Sequence, residues 1–484
     1  MCCGAREVFR CYSAPMRMAH AIALVLLSAC RPPPSPTTPP TTTPSPAPDL
    51  YAEMVQVLQG YLRLDTTNPP GNEMRAVRYL KAILDREGIE SRVFDLGHNR
   101  ANLYAVLRGD GSRRPLVLSH HMDVVPAEPR HWRTPPFSGR IIDGEIYGRG
   151  AVDMKGKAIV DLMTMVRFKR AGIRLKRDLI LLAVADEEEQ SMGARAVVQQ
   201  HPELIRDAEF LLDEGQNVRV DAAGRIEAYL ISVGEKAPLW LTVSFSGQPG
   251  HGSVPRADTA VSRAIRAAAR LLAYEREPRL LPELRGWLGL RLRGRDVSRL
   301  PGFTQDLERS LQSPQFLQAI SGLDPEINAA LHDTIAVTGM KGSESINVIP
   351  NIASIALDCR LLPGTDRDAF LKRLQQEMNE PTARIHVEQY AAARKSPADS
   401  ALIQALQSCA WRRTPPAPVI PTLLLSSTDS SLFRSLGIAA YGFESYSLTR
   451  EQAALSHAND ERIPVAGIRF GVDLLTDLIH QLNR

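Results

Sequence analysis

Cysteine is scarce in this chain: six in 484 residues, at Cys2, Cys3, Cys11, Cys30, Cys359 and Cys409. None stand in the Cys-x-x-Cys spacing of a zinc ribbon or finger, which excludes a cysteine-built metal site. Aromatic residues make up only 6% and the formal net charge is only +4, with the arginines scattered along the chain. The compact aromatic and basic platform of a nucleic-acid binder is therefore lacking, and no nucleic-acid partner is expected. Long apolar runs are lacking too. The one segment suited to a membrane, AHAIALVLLSAC at 19–30, has an apolar core shorter than the ~20 residues a bilayer demands. What remains is an ordinary globular composition, 44% hydrophobic and 23% charged, long enough for two or more domains.

The short apolar run follows Arg17 and ends in Leu27-Ser28-Ala29-Cys30, which resembles the lipobox of a bacterial lipoprotein signal peptide. The next stretch, RPPPSPTTPPTTTPSPAP, is a Pro/Thr tether that cannot bury a core and favours extended conformations. This order implies a signal peptide over 1–30 with Cys30 as the lipidated residue, and a tether over 31–48. The expected location is the periplasmic side of a bacterial cell envelope, with the membrane reached through a lipid anchor only. A plain secretory signal, or an apolar patch without a targeting role, is the competing reading. Cys359, in a strand-like run, and Cys409, in a helical one, then remain, either as two buried free thiols or as a disulfide in an oxidising compartment.

LVLSHHMDVVP, residues 116–126, sets two adjacent histidines after an apolar strand. Strand side chains alternate, so His121 and Asp123 share a face and His120 takes the other. A carboxylate beside an imidazole orients the ring of a metal ligand, although a core histidine satisfied by an acid reads the same way. Further on, Gly148, Gly150 and Gly156 frame Asp153, which leads into an amphipathic helical run to Phe168. LILLAVADEEEQ is an apolar strand that ends in Asp186 and Glu187-Glu188-Glu189, and FLLDEG ends in Asp213 and Glu214. Successive acids at a strand end repel one another unless a cation gathers them, or unless they form a solvated loop. His457 arrives late, in LSHANDERIP. In open α/β sheets ligands collect at the carboxyl ends of strands. A His and carboxylate set without cysteine suits zinc, with cobalt or manganese as substitutes, and is too large for one catalytic ion.

His121-x-Asp123, Gly148-Arg-Gly-Ala-x-Asp153-Met-Lys-Gly, Asp186-Glu-Glu followed by Gly193-Ala194, Asp213-Glu-Gly and Ser-His457 occur in one order. That series resembles the di-zinc hydrolases of metallopeptidase family twenty, the relatives of aminoacylase, acetylornithine deacetylase, succinyl-diaminopimelate desuccinylase, glutamate carboxypeptidase and carboxypeptidase S. The resemblance implies two Zn2+ per chain. His121, Asp153 and Glu214 would hold one ion, and Asp153, Glu188 and His457 the other. Asp123 would orient His121, and Glu187 would act as general base on a water shared by the ions. A second register, with Glu188 as base and Glu189 as ligand, is also open. Gln190 departs from the glycine that many relatives carry there.

The implied fold is α/β: a catalytic domain with a central mixed sheet flanked by helices, and an inserted α+β lid of the dimerisation type. The expected bounds are 49–236 and 389–484 for the catalytic domain and 237–388 for the lid, with an arginine-rich helical extension near 275–335. Within the lid, LWLTVSFSG and IASIALDCRLLPG alternate as strands, and TAVSRAIRAAARLLAY is helical. The resemblance further places His251 at the substrate carbonyl, and Asn347 and Arg360 at a free substrate carboxylate. The loop from Ser427 to Ser430 resembles a substrate-side loop. The expected activity is hydrolysis of the amide bond of an N-acyl amino acid or short peptide, by a monomer or a lid-mediated homodimer. Two rivals stand beside it: a non-catalytic binding lipoprotein, which leaves Glu187 without purpose, and a di-zinc aminopeptidase, against which Asn347 and Arg360 argue.

Overall fold

The computed structural model describes residues 49–484. The signal segment, Cys30 and the tether lie outside the described residues. Four apolar runs, Leu179–Val184, Leu116–His121, Phe210–Val220 and Ala439–Leu448, form adjacent parallel strands, as buried β-branched and leucine-rich segments do when helices cover both faces. They are the centre of an eight-stranded mixed sheet. Glu90–Gly97 and Arg100–Leu107 extend it antiparallel on one side, and Ile226–Glu235 and Val419–Leu424 complete the other. The helix Lys155–Arg170 lies beneath this sheet and is buried almost all round, not on one face as its pattern predicts. Helices Leu50–Leu62 and Val465–Leu482 pack over its outer side. Its buried Lys157 is satisfied by the sheet: Nζ donates to the carbonyls of Ser119, at 2.8 Å, and Leu212, at 3.3 Å, and pairs with Asp161.

A second sheet has four antiparallel strands, in the order Thr334–Lys341, Ile352–Leu361, Ala237–Ser246 and Arg384–Tyr390. Its alternating pattern buries one face against helices Ala260–Ala273 and Arg367–Met378, with Cys359 in that core. The first helix starts at a capping box between Thr259 and Ser262, and the second at Asp366, whose carboxylate accepts from Ala369 N at 2.7 Å.

The helical extension differs from the lid assignment. Leu284, Trp287, Leu288, Phe316, Ile320 and Leu331 belong to the core of the eight-stranded sheet, not to that of the four-stranded one. Helix Arg285–Leu292 sits on strand Val419–Leu424. An amphipathic repeat states that one face is buried and leaves open against what. Cys409 is buried in this main core, and both thiols are free. Among the described residues no helix is long and apolar enough to cross a membrane.

Candidate metal centre

Apart from Glu214, the site acids and histidines arrive from the carboxyl end of a central strand or from a loop. The strand Leu116–His121 ends at His121 itself, so Asp123 lies in the following loop. It still meets the ring: His121 Nδ1 is 3.0 Å from the Asp123 carbonyl and 3.5 Å from its Oδ1. The contact leaves Nε2 to face the centre. His120, on the opposite face, is wholly buried, and its ring nitrogens have no partner among the described residues. Burial and then the nearby Lys157 hold its pKa well below the usual value, so it is neutral and structural.

Glu214 does not end its strand as the sequence pattern implies. Phe210–Val220 runs on through it as a bulge: Gly442 pairs with Asp213, the next residue Phe443 pairs with Gln216, and Glu214 and Gly215 are left out of the ladder. A bulge re-aims a side chain. Gly215 permits it, because a Cβ there would come 2.5 Å from Gly442 Cα. Asp153 sits on a loop held by Glu461, whose buried carboxylate accepts from the backbone N–H groups of Gly150, Val152 and Asp153 at 2.7–2.9 Å and pairs with Arg149 at 2.7 Å.

The gathered set is tight. Asp153 Oδ1 is 3.0 Å from His121 Nε2, and Asp153 Oδ2 is 3.2 Å from His457 Nε2. His457 Nε2 is also 3.0 Å from Glu188 Oε2, and His121 Nε2 is 3.9 Å from Glu214 Oε2. Ligand atoms of His121, Asp153 and Glu188 lie within 4.8 Å of one another, as do those of His121, Glu187 and Glu214. Glu187 and Glu188 face inward, while Glu189 is exposed.

The electrostatics describe crowded acids. Burial, partly offset by His121, pushes Glu187 well above the usual carboxylate range, and burial with repulsion from Asp153 does the same for Glu214. Asp429, whose carboxylate is buried without a hydrogen-bond partner, is pushed up to about 8 by burial and then by Asp213. Asp153 is held far below its usual range: burial opposes this, but hydrogen bonds from His121 and His457 prevail. Those bonds to Asp153 and Glu188 raise His457 to about 10. Buried like charges in this number are a poor arrangement unless cations lie among them. The donor chemistry fits two divalent ions: one carboxylate turns an oxygen to each histidine, and each histidine has further acids beside it.

The substrate-side residues divide. Arg360 faces the centre across a cavity of about 390 Å³ that both sheets line, with Glu187, Trp240, Ser427 and His457 among its walls. Its guanidinium pairs with Asp358 through Nε at 2.7 Å and Nη2 at 3.0 Å, and Nη1 donates to Ser427 Oγ at 3.3 Å. His251 and Asn347 are not brought there. Both are exposed beside a small two-stranded antiparallel ladder, Gly250–His251 with Val348–Ile349, where Gly252 N donates to the Asn347 carbonyl at 2.7 Å and His251 Nδ1 accepts from Ser253. Within this chain neither residue lines the cavities beside the metal centre.

Several supporting residues escape a sequence reading. Arg100 Nη1 bridges Glu73, at 2.9 Å, and Asp186, at 2.7 Å. Asn68 Nδ2 donates to both Asp123 and Asp186. Ser456 Oγ donates to Asp153 Oδ2 at 2.6 Å. Asp186 holds a left-handed φ of 69° within this network.

A mixed α/β sheet with His and carboxylate groups converging at its strand ends, closed over by an antiparallel lid, defines a metal-dependent hydrolase. The profile of peptidase family M20/M25/M40 matches residues 117–481, and the chain belongs to that family. Aminoacylase-1A of Rattus norvegicus is 26% identical over 443 residues, covering 90% of this chain and 96% of the relative. An N-fatty-acyl-amino acid synthase/hydrolase of Xenopus tropicalis is 27% identical over 442 residues, covering 88% of this chain and 85% of that one. Among solved structures, an M20 family metallo-carboxypeptidase from Sulfolobus solfataricus has the same fold. Its TM-score is 0.67 at 20% identity, over 88% of this chain and 98% of that one.

Proposed function

We propose that the chain hydrolyses the amide bond of N-acyl amino acids or small peptides that carry a free carboxylate. The observation that carries this reading is Asp153, whose two carboxylate oxygens each face a different histidine with Glu187 alongside. In this proposal His121, Asp153 and Glu214 hold one divalent ion, and Asp153, Glu188 and His457 the other. Bound cations would lower the pKa of a water and polarise the amide carbonyl. Glu187 Oε takes the proton of the attacking water, and the same carboxyl returns it to the amide nitrogen as the C–N bond breaks. Asp123 and the Glu461-held loop keep the ligands in place. Arg360 orients the substrate carboxylate, and Asp358 fixes the plane of its guanidinium. The relatives named as aminoacylases support the substrate class. Anchoring through Cys30 in a cell envelope is part of the same proposal, supported by the lipobox-like run and the tether.

The test is metal-loaded protein incubated with an N-acetyl amino acid, a dipeptide and an aminoacyl anilide, with and without a chelator. Chelator-sensitive cleavage of the first two is the expected result. Cleavage of the anilide alone would make the protein an aminopeptidase, and binding without turnover would make it a binding protein.

A further inference from the structure

A second cavity, of about 460 Å³, opens on the other side of the metal centre. It shares Asp153, Glu214 and Ser456 with the lid-side cavity, so the two meet at the reacting position. An amide has two substituents, and the lid side is occupied by the carboxylate-bearing half if Arg360 orients it. The extension-side cavity then receives the acyl half. Its walls combine an apolar surface, from Leu230, Leu284, Trp287, Leu290 and Leu423, with arginines.

One of those arginines has no partner. The Arg219 guanidinium forms no hydrogen bond or ion pair among the described residues, and its Nε is buried unsatisfied. The neighbouring Arg291 and Arg450 are engaged: both reach Asp324 and Glu326, the Arg291–Glu326 contact at 3.2 Å and the Arg450–Asp324 contact at 3.4 Å. Burial, with repulsion from those two arginines, lowers the pKa of Arg219. Glu227 and Glu326 act on this cation through space but neither pairs with it, and a carboxylate is the anion a guanidinium matches in two parallel hydrogen bonds. Arg219 lies five residues beyond Glu214 on the same strand, past the bulge, and both line this cavity.

We propose that this cavity is the acyl subsite and takes an acyl group that ends in a carboxylate, with the methylenes on the apolar wall and the terminal carboxylate on Arg219. The inference rests on the N-acyl amino acid reading above.

The experiment compares N-succinyl, N-glutaryl and N-adipoyl derivatives of one amino acid with N-butanoyl, N-pentanoyl and N-hexanoyl derivatives. It uses the metal-loaded full chain as wild type, Arg219→Met and Arg219→Lys. The best carboxylate-ended acyl group should exceed its neutral counterpart in kcat/KM by about 10- to 100-fold. That ratio should collapse in Arg219→Met and be partly kept in Arg219→Lys, which also serves if Arg219→Met does not fold. Calorimetry with free glutarate gives an arm that needs no turnover: binding to wild type and its loss in Arg219→Met. Hydrolysis without a carboxylate preference, or a preference untouched by Arg219→Met, overturns the subsite and leaves the hydrolase reading standing. Arg219-dependent glutarate binding without any hydrolysis overturns the hydrolase reading and keeps the subsite. Neither hydrolysis nor glutarate binding overturns both.

Discussion

Asp123 grips Glu187 by its backbone: Oδ1 accepts the Glu187 N–H at 3.1 Å, while Oδ2 accepts that of Glu188 at the same distance. The residue that touches the His121 ring therefore also sets the position of the acid loop. Asp123→Ala should disturb a histidine and two glutamates at once. Loss of such an outer partner costs about 10- to 100-fold in metal affinity or activity. Metal titration and kcat/KM should both show the defect, and an intact metal affinity with lost activity would confine the role of Asp123 to the loop.

Glu187→Gln keeps the shape of the side chain and removes its capacity to take a proton. The rate should fall by ~10²–10⁴ while bound metal per chain stays constant. Glu188→Gln, by contrast, should lower the metal content, since Glu188 is the carboxylate that touches His457. Metal analysis of the two variants that gives the reverse assignment would exchange the roles of Glu187 and Glu188.

Arg360→Ala should reduce kcat/KM on free-carboxylate substrates by about 10- to 100-fold, the loss of a charge-assisted pair. The effect should almost vanish when the carboxylate is amidated, and metal content should not change. Equal losses on both substrates would show that the Arg360–Asp358 pair supports only the lid strand on which both residues sit.

Arg100→Ala would leave Glu73 and Asp186 facing each other in the core with no cation. Breaking a buried pair in this way costs about 3–5 kcal/mol. A lower thermal midpoint is expected for the metal-loaded and the chelated protein alike. A destabilisation seen only in the metal-loaded form would tie Arg100 to ion binding instead of to the fold.

The acids and histidines that gather were legible in the sequence because most of them follow an apolar run or a glycine-framed turn. His121, Asp153, Glu188, Glu214 and His457 are the residues that the structure gathers. The two-sheet α/β architecture was legible for a related reason, the contrast between continuous apolar strands in one part and alternating ones in another. What escaped depends on contacts between distant segments. Glu461 lies four residues after His457 and was read only as part of a loop, because its partners Gly150, Val152 and Asp153 are some 300 positions earlier. Asn68, Glu73 and Arg100 follow no periodicity, and only the meeting of three segments gives them a role. The bulge at Glu214 has no marker beyond Gly215. His251 and Asn347 show a different limit: a motif names a residue type at a position in the chain, and within one chain the lid strands hold both outside the cavity that Arg360 lines.

The packing of the helical extension sets the two flanks of the metal centre apart mechanically. The arginine-lined cavity has walls from a single continuous core, whereas the lid-side cavity straddles a seam between two cores. Any sliding or tilting along that seam alters the second width and leaves the first unchanged. One flank thus has its width set within one core, and the other has a width that depends on how two cores meet.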